Sequence, residues 1–266
     1  MLTFCKNRGT VASVKGPGGF NAMSKSVRAS WLLFVCICVP LHSSAQSQLS
    51  GNEVSVRELR IPPKALHAFE QGVELLAKKD AAGSLPHFQR AILEYEGYYE
   101  AYDRIGAADL ILWRIPEAER AFRKSIEVSG GQYAHSLLAL GAILDDNQEF
   151  SEAMTVIRKG LDLDPDSWRG HYYLGLALLG LNRLEEAERS VRETLLRKSD
   201  FPRAYLLLAH IHSRTKDCPS LVNDLNEFLK LDPDGPDSGW AKKLRDSAQR
   251  VIVESSSTTA LAQPQP

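Results

Sequence analysis

Leu137-Leu138-Ala139-Leu140-Gly141-Ala142-Ile143-Leu144 is followed, 34 residues later, by His171-Tyr172-Tyr173-Leu174-Gly175-Leu176-Ala177-Leu178. Both are apolar runs with one glycine in the middle. Working outward, the same small position recurs at Gly72, Gly106 and Ala209, so the ladder 72, 106, 141, 175, 209 has steps of 34, 35, 34 and 34. A period this long, with a small residue fixed inside it, marks helix pairs that cannot bury an apolar face alone and must stack on their neighbours. Twelve residues beyond each small position stand Ser84, Ala118, Ala153, Ala187 and Leu221, and four residues later Phe88, Phe122, Ile157, Val191 and Leu225. The i, i+4 step puts both on one face of a second helix. Gly72, Gly106, Gly141, Gly175, Ala209, Ala118, Ala153, Ala187, Phe88 and Phe122 are therefore the expected repeat-packing residues.

Second helices end where proline or glycine stops them, at Leu163-Asp164-Pro165-Asp166, at Leu231-Asp232-Pro233-Asp234 and at Gly130-Gly131. Short polar linkers such as Asp146-Asn147-Gln148 leave paired helices antiparallel. The expected organisation is a signal segment over 1–45, a linker over 46–62, five helix pairs over 63–234, a capping helix over 235–253 and a disordered tail over 254–266. In the cap, Trp240, Leu244, Ala248 and Val251 share one face, and Lys242, Lys243, Arg245, Asp246 and Arg250 solvate the other.

These units resemble the tetratricopeptide repeat, whose pattern reads Trp-x2-Leu-Gly-x2-Tyr, then Ala-x3-Phe, then Pro. Tyr102-x2-Ile105-Gly106 with Ala118-x3-Phe122 carries the resemblance, as do Leu137-x2-Leu140-Gly141 with Ala153-x3-Ile157 and Pro165, and His171-x2-Leu174-Gly175 with Ala187-x3-Val191. The first and fifth units depart from it at Ser84, Leu221 and Ala209. The resemblance implies an all-α fold, a right-handed α-solenoid of antiparallel helix pairs.

It also implies a function. In that family the second, fifth, ninth, twelfth and thirteenth positions of each first helix face a ligand in a concave groove. By alignment these positions hold Phe69, Val73 and Leu76; Glu100, Asp103, Ala107 and Leu110; Leu138, Ala142 and Asp145; Arg169, Tyr172 and Leu176; and Arg203, Leu206, His210 and Arg214. Glu100, Asp103 and Asp145 make the N-terminal half acidic, while Arg169, Arg203, His210 and Arg214 collect at the other end. Such polarity would orient a bound peptide. The lysine and asparagine clamp by which relatives grip an acidic chaperone tail is missing, because the ninth positions are Val73, Ala107, Ala142, Leu176 and His210. The expected partner is instead a protein segment docked through apolar anchors, with Tyr172 at the centre.

The front of the chain speaks of export. No acidic residue precedes Glu53; Lys6, Arg8, Lys15, Lys25 and Arg28 come before an apolar run from Trp31 to Leu41, and Ser43-Ser44-Ala45 follows. That run is too short for a bilayer core, which needs about 20 residues, and it fits a secretory signal cleaved after Ala45, giving a periplasmic or secreted protein. Met23 begins a signal of ordinary length, so residues 1–22 are either a basic extension or lie before the true start. Cleavage would remove five of 32 basic residues, leaving 27 against 33 acidic, a formal charge of −6 in place of −1. A mildly acidic exported chain lacks the dense positive footprint of a nucleic-acid binder. Three of four cysteines precede residue 46, leaving Cys218 without an intramolecular partner after cleavage.

Familiar catalytic and metal motifs are not apparent in the sequence. His210 and His212, two residues apart, point about 200° apart on a helix and cannot share an ion. The twelfth position from Asp232 is Lys243, where a calcium loop needs glutamate. There is no Gly-x-Ser-x-Gly elbow, His-Glu-x-x-His, phosphate loop or Cys-x-x-Cys. The reading is of a non-enzymatic adaptor without cofactor or metal, binding a protein or peptide segment. A self-associating structural subunit, an unrecognised hydrolase and a sugar-binding accessory protein stay open at this point.

Overall fold

A computed structural model describes residues 61–261, with side-chain exposure described as far as Ser255. The signal segment, its cleavage site, the start at Met23 and nearly all of the linker lie outside the described residues. Within them the chain is all-α, and it divides into two compact units on either side of Pro165 and Asp166.

The first unit holds three antiparallel helix pairs: α1 (Pro63–Ala77) with α2 (Ala81–Glu94), α3 (Tyr99–Ile111) with α4 (Ile115–Val128), and α5 (Ala134–Asp146) with α6 (Phe150–Leu163). The second holds two more, α7 (Trp168–Gly180) with α8 (Leu184–Arg197) and α9 (Pro202–Thr215) with α10 (Cys218–Leu231), followed by α11 (Ser238–Leu261). Helix starts follow the sequence. Asp80 and Asp217 accept hydrogen bonds from the backbone N–H of Gly83 (2.8 Å) and Ser220 (3.1 Å), while Pro63, Pro116, Pro202 and Pro219 occupy first-turn positions where no N–H is needed.

The glycine ladder is a set of sockets. A Cβ built on Gly72 would stand 2.6 Å from the Phe88 ring, and one on Gly106 would stand 2.8 Å from Phe122. On Gly141 it would meet Ile157 at 2.3 Å, and on Gly175 Val191 at 2.7 Å. In every case the large side chain sits 16 residues on, in the second helix of the same pair, and is completely buried. Ala209 and Leu225 share one core cluster at the equivalent place. Burying each of these side chains contributes roughly 1.5–3 kcal/mol, and only a small residue opposite permits the approach.

A second ladder runs through the turns. Lys79, Trp113, Gln148, Asn182 and Lys216 all have φ between 59° and 67°, at the same period as the glycines. The residue after each donates its backbone N–H five residues back, as Asp80 N–H does to Leu75 O (2.9 Å) and Glu149 N–H to Leu144 O (2.8 Å). This left-handed cap ends the first helix and turns the chain into the second. None of the five is glycine, so each turn carries the strain of a side chain in the left-handed region.

One expectation needs correction. Helix α11 continues to Leu261 rather than stopping at Val253, so the tail assigned to 254–266 is helical over its first half. Its serines and threonines are modest helix formers, but no glycine or proline interrupts them before Pro264. Cys218, buried in the first turn of α10, is disulfide-bonded in the full-length chain; the unpaired thiol expected is that of the chain after cleavage.

Candidate functional site

In each pair the two helices divide the packing between them. Second helices place their large apolar residues in the glycine sockets of the first helices. The second positions, Leu66, Glu100, His135, Arg169 and Arg203, are all at least partly exposed and carry four kinds of side chain. His135 belongs to this set and was not singled out from the sequence.

On the first unit, Phe69 is half-buried, its ring against Phe88 (5.6 Å between centroids) and Tyr98 (4.8 Å). Val73, Leu76, Glu100 and Asp145 are half-buried as well, whereas Ala107, Leu110, Leu138 and Ala142 are buried. At 1 % exposure Leu110 is a core residue of its pair.

The chemistry here centres on Asp103, which has no exposed surface. Its Oδ1 lies 2.8 Å from His135 Nδ1 and accepts a hydrogen bond from Ser136 Oγ at 2.7 Å. Ser136 Oγ also lies 2.8 Å from Ser125 Oγ, which donates to Tyr99 O at 2.8 Å. The chain of contacts thus ties α3 to α4 and to α5. Burial would push the Asp103 carboxyl up, but the His135 ring, with Arg104 and the Ser136 hydroxyl, outweighs it and holds the group below the ordinary aspartate range. It is an ionised carboxylate in the interior. The Tyr133 hydroxyl beside it is pushed up, by burial first and by the Asp103 charge second.

On the second unit the predicted residues serve other ends. Tyr172 is buried, its ring edge-on to Phe201 at 4.9 Å and tilted against Tyr173 at 5.8 Å. An exposed central anchor was expected there, but the ring is part of the unit's packing, and Tyr172→Asp would bury a charge and report on stability rather than binding. Leu176 is buried too. Leu206 joins the cluster formed with Ala241, Leu244 and Ala248 of α11. His210 stacks on Trp240 of the same helix, with centroids 5.4 Å apart and planes at 18°. Burial, with the Arg214 charge nearby, pushes His210 down to about 4, so it is neutral and adds nothing to a positive end. Arg214 donates to Leu179 O at 3.1 Å, capping the C-terminus of α7. Arg169 lies over the Trp168 ring at 4.5 Å, and Arg203 is half-buried.

His212 makes a second polar cluster. Its Nδ1 lies 2.5 Å from Asp224 Oδ2 on α10 and its Nε2 3.5 Å from Glu188 Oε1 on α8, so one buried ring links three helices. Among the described residues no group of three or more histidines, cysteines or carboxylates could hold a metal ion, and no helix is long and apolar enough to cross a membrane.

Comparison with known proteins agrees with this architecture. A family model for the tetratricopeptide repeat matches residues 146–211. Among curated proteins no relative matches. Solved structures do: residues 41 to the end of MamA from Desulfovibrio magneticus RS-1 are 17% identical with a TM-score of 0.58, covering 66% of this chain and 99% of that one. YrrB, described as a tetratricopeptide repeat protein with an unusual peptide-binding site, is 16% identical with a TM-score of 0.57, covering 67% and 92%. Pseudomonas aeruginosa pilF is 14% identical with a TM-score of 0.62, covering 74% and 88%. At these identities the likeness is one of fold.

Proposed function

We propose that this tetratricopeptide repeat protein is an exported adaptor that holds a protein segment against the first-helix faces of its repeats and thereby organises an envelope or secreted complex. The observation that carries the reading is the contrast between an unvarying scaffold and a varying face. Every pair repeats the same left-handed turn and four of the five the same glycine socket, while Glu100, His135, Arg169 and Arg203 put three different functional groups at one register position. Packing needs no such variety, and repeat arrays bind through surfaces of this kind. The peptide-binding site of YrrB, on the same fold, supports the choice of a protein segment as ligand. Export rests on the basic, apolar and small-residue succession of residues 6–45.

The test is capture from a native envelope extract followed by hydrogen exchange on the complex. A bound partner should slow exchange in α1, α3 and α5, or in α7 and α9, and leave the second helices unchanged. Protection confined to second helices or to α11 would refute the groove reading. A chain that retains only itself, with a mass that rises with concentration, would replace it with self-assembly.

A further inference from the structure

We propose that the pocket between α10 and α11 is a second binding site, which takes a glutamate or aspartate side chain from an acidic protein segment. It is formed by a second helix and the cap, so it does not depend on what the first helices hold. The pocket has a volume of about 490 Å³ and is lined by Asn223, Asn226, Glu227, Leu229 and Lys230 of α10 and Arg245 of α11. Specific ligand sites run from roughly 300 to 1,000 Å³. The two asparagines do not serve the helix they stand in. Asparagine is a poor helix former, both lie in the middle of α10, and among the described residues neither carboxamide has a hydrogen-bond partner. The register of Asn226 holds Arg123, Arg158 and Arg192 in α4, α6 and α8, where Arg123 and Arg192 pair with glutamates one turn back. The shorter side chain in α10 leaves room beside α11.

Charge selects the ligand. Lys230 pairs with Glu227, which neutralises the carboxylate in the lining, and Arg245 gives Nε and Nη2 to Asp246 Oδ1 at 3.0 and 2.8 Å, keeping its Nη1 open. Both cations can be reached, since the Arg245 side chain is 29% exposed and that of Lys230 67%. The chain as a whole has a formal charge of −1, but α11 carries Lys242, Lys243, Arg245 and Arg250 against Asp246 and Glu254. Such a positive field steers an acidic segment towards the pocket. A carboxylate accepts charge-assisted hydrogen bonds from Arg245 Nη1 and Lys230 Nζ, while the carboxamides, donors and acceptors at once, serve the backbone that carries it. An acidic protein segment brings both groups together.

The experiment follows the side-chain NH₂ signals of Asn223 and Asn226 by NMR in the nitrogen-labelled full chain at physiological salt. Three probes are titrated: a peptide alternating glutamate with alanine, its version with glutamine for glutamate, and glucuronate. The glutamate peptide should shift both signals to saturation, and the glutamine version should leave them in place. Arg245→Gln should weaken the glutamate peptide roughly tenfold. Asn226→Ala, which favours the helix, should weaken it too and serves as the second variant if Arg245→Gln disturbs the cap. Saturation by glucuronate at a lower concentration than the peptide would overturn the choice of a protein segment. Equal shifts from the glutamine version, unmoved carboxamide signals, or unchanged affinity in both variants would overturn the site itself. Each of these results leaves the groove on the first helices to its own exchange experiment.

Discussion

Gly106 and Phe122 behave as one packing unit. A methyl group on Gly106 would lie 2.8 Å from the far end of the Phe122 ring, in a fully buried position where the ring has no room to retreat. Gly106→Ala should destabilise the first unit by about 1–3 kcal/mol in urea unfolding. Phe122→Leu removes the ring atoms that clash, so the double variant should recover part of the loss, and additive losses would show that the socket is not the constraint. His212 makes a different prediction. Burial opposes a charged ring there, but the Asp224 hydrogen bond and charge, together with Glu188 and Asp217, hold its pKa above the ordinary histidine value. A raised folded pKa gives stability that is complete below the unfolded value, about 6.5, and lost as pH rises through the folded one. The second unit should accordingly unfold more readily at alkaline pH, and His212→Asn should flatten that dependence. An unchanged profile in the variant would assign the titration elsewhere.

At the scale of the element, the turns carry strain that the helices do not reveal. Gln148 is exposed and stands at φ 67°, where a side chain costs roughly 1–2 kcal/mol and glycine almost nothing. Gln148→Gly should therefore raise the melting temperature, with a gain of about 1 kcal/mol, less what glycine's freedom in the unfolded chain takes back. A fall would mean that the Gln148 side chain makes contacts worth more than the strain. These turns were only partly legible in the sequence. The linker at Asp146-Asn147-Gln148 was read as a turn from its polarity, but the left-handed residues are Lys, Trp, Gln, Asn and Lys, and that mixture carries no common signal. Helix pairs were legible because their sockets repeat, and periodic packing leaves periodic sequence. The end of α11 was not, because a run of serine and threonine reads as tail when nothing shows what it continues from. Within the candidate site, Asp103 was named from its register, whereas His135 and Ser136 were missed; their importance lies in a contact across more than 30 residues that neither helix announces. Tyr172, Leu206 and His210 had the right register and the wrong surroundings, since register says which way a residue faces and not what already lies there.

For the molecule as a whole, the decisive question is what ends the stack. A repeat array exposes at its last pair the apolar face that every earlier pair covers with its successor. Here α11 supplies the cover: Ala241, Leu244 and Ala248 are buried against Leu206, Leu221, Val222, Leu225, Phe228 and Leu229, and Trp240 lies against the same cluster. The opposite face of α11 carries Lys242, Lys243, Arg245 and Arg250, which keeps the end of the array in water. A chain ending at Asp237 would uncover that cluster, and exposed apolar patches of this size promote association. It should show a lower melting temperature in calorimetry and a mass above the monomer in light scattering. Leu244→Lys in the full chain should do the same more mildly, placing a charge at a residue only 3% exposed. If both variants keep the melting temperature and mass of wild type, then α11 is an appendage, and the second unit must end its own stack by packing within its two helix pairs alone.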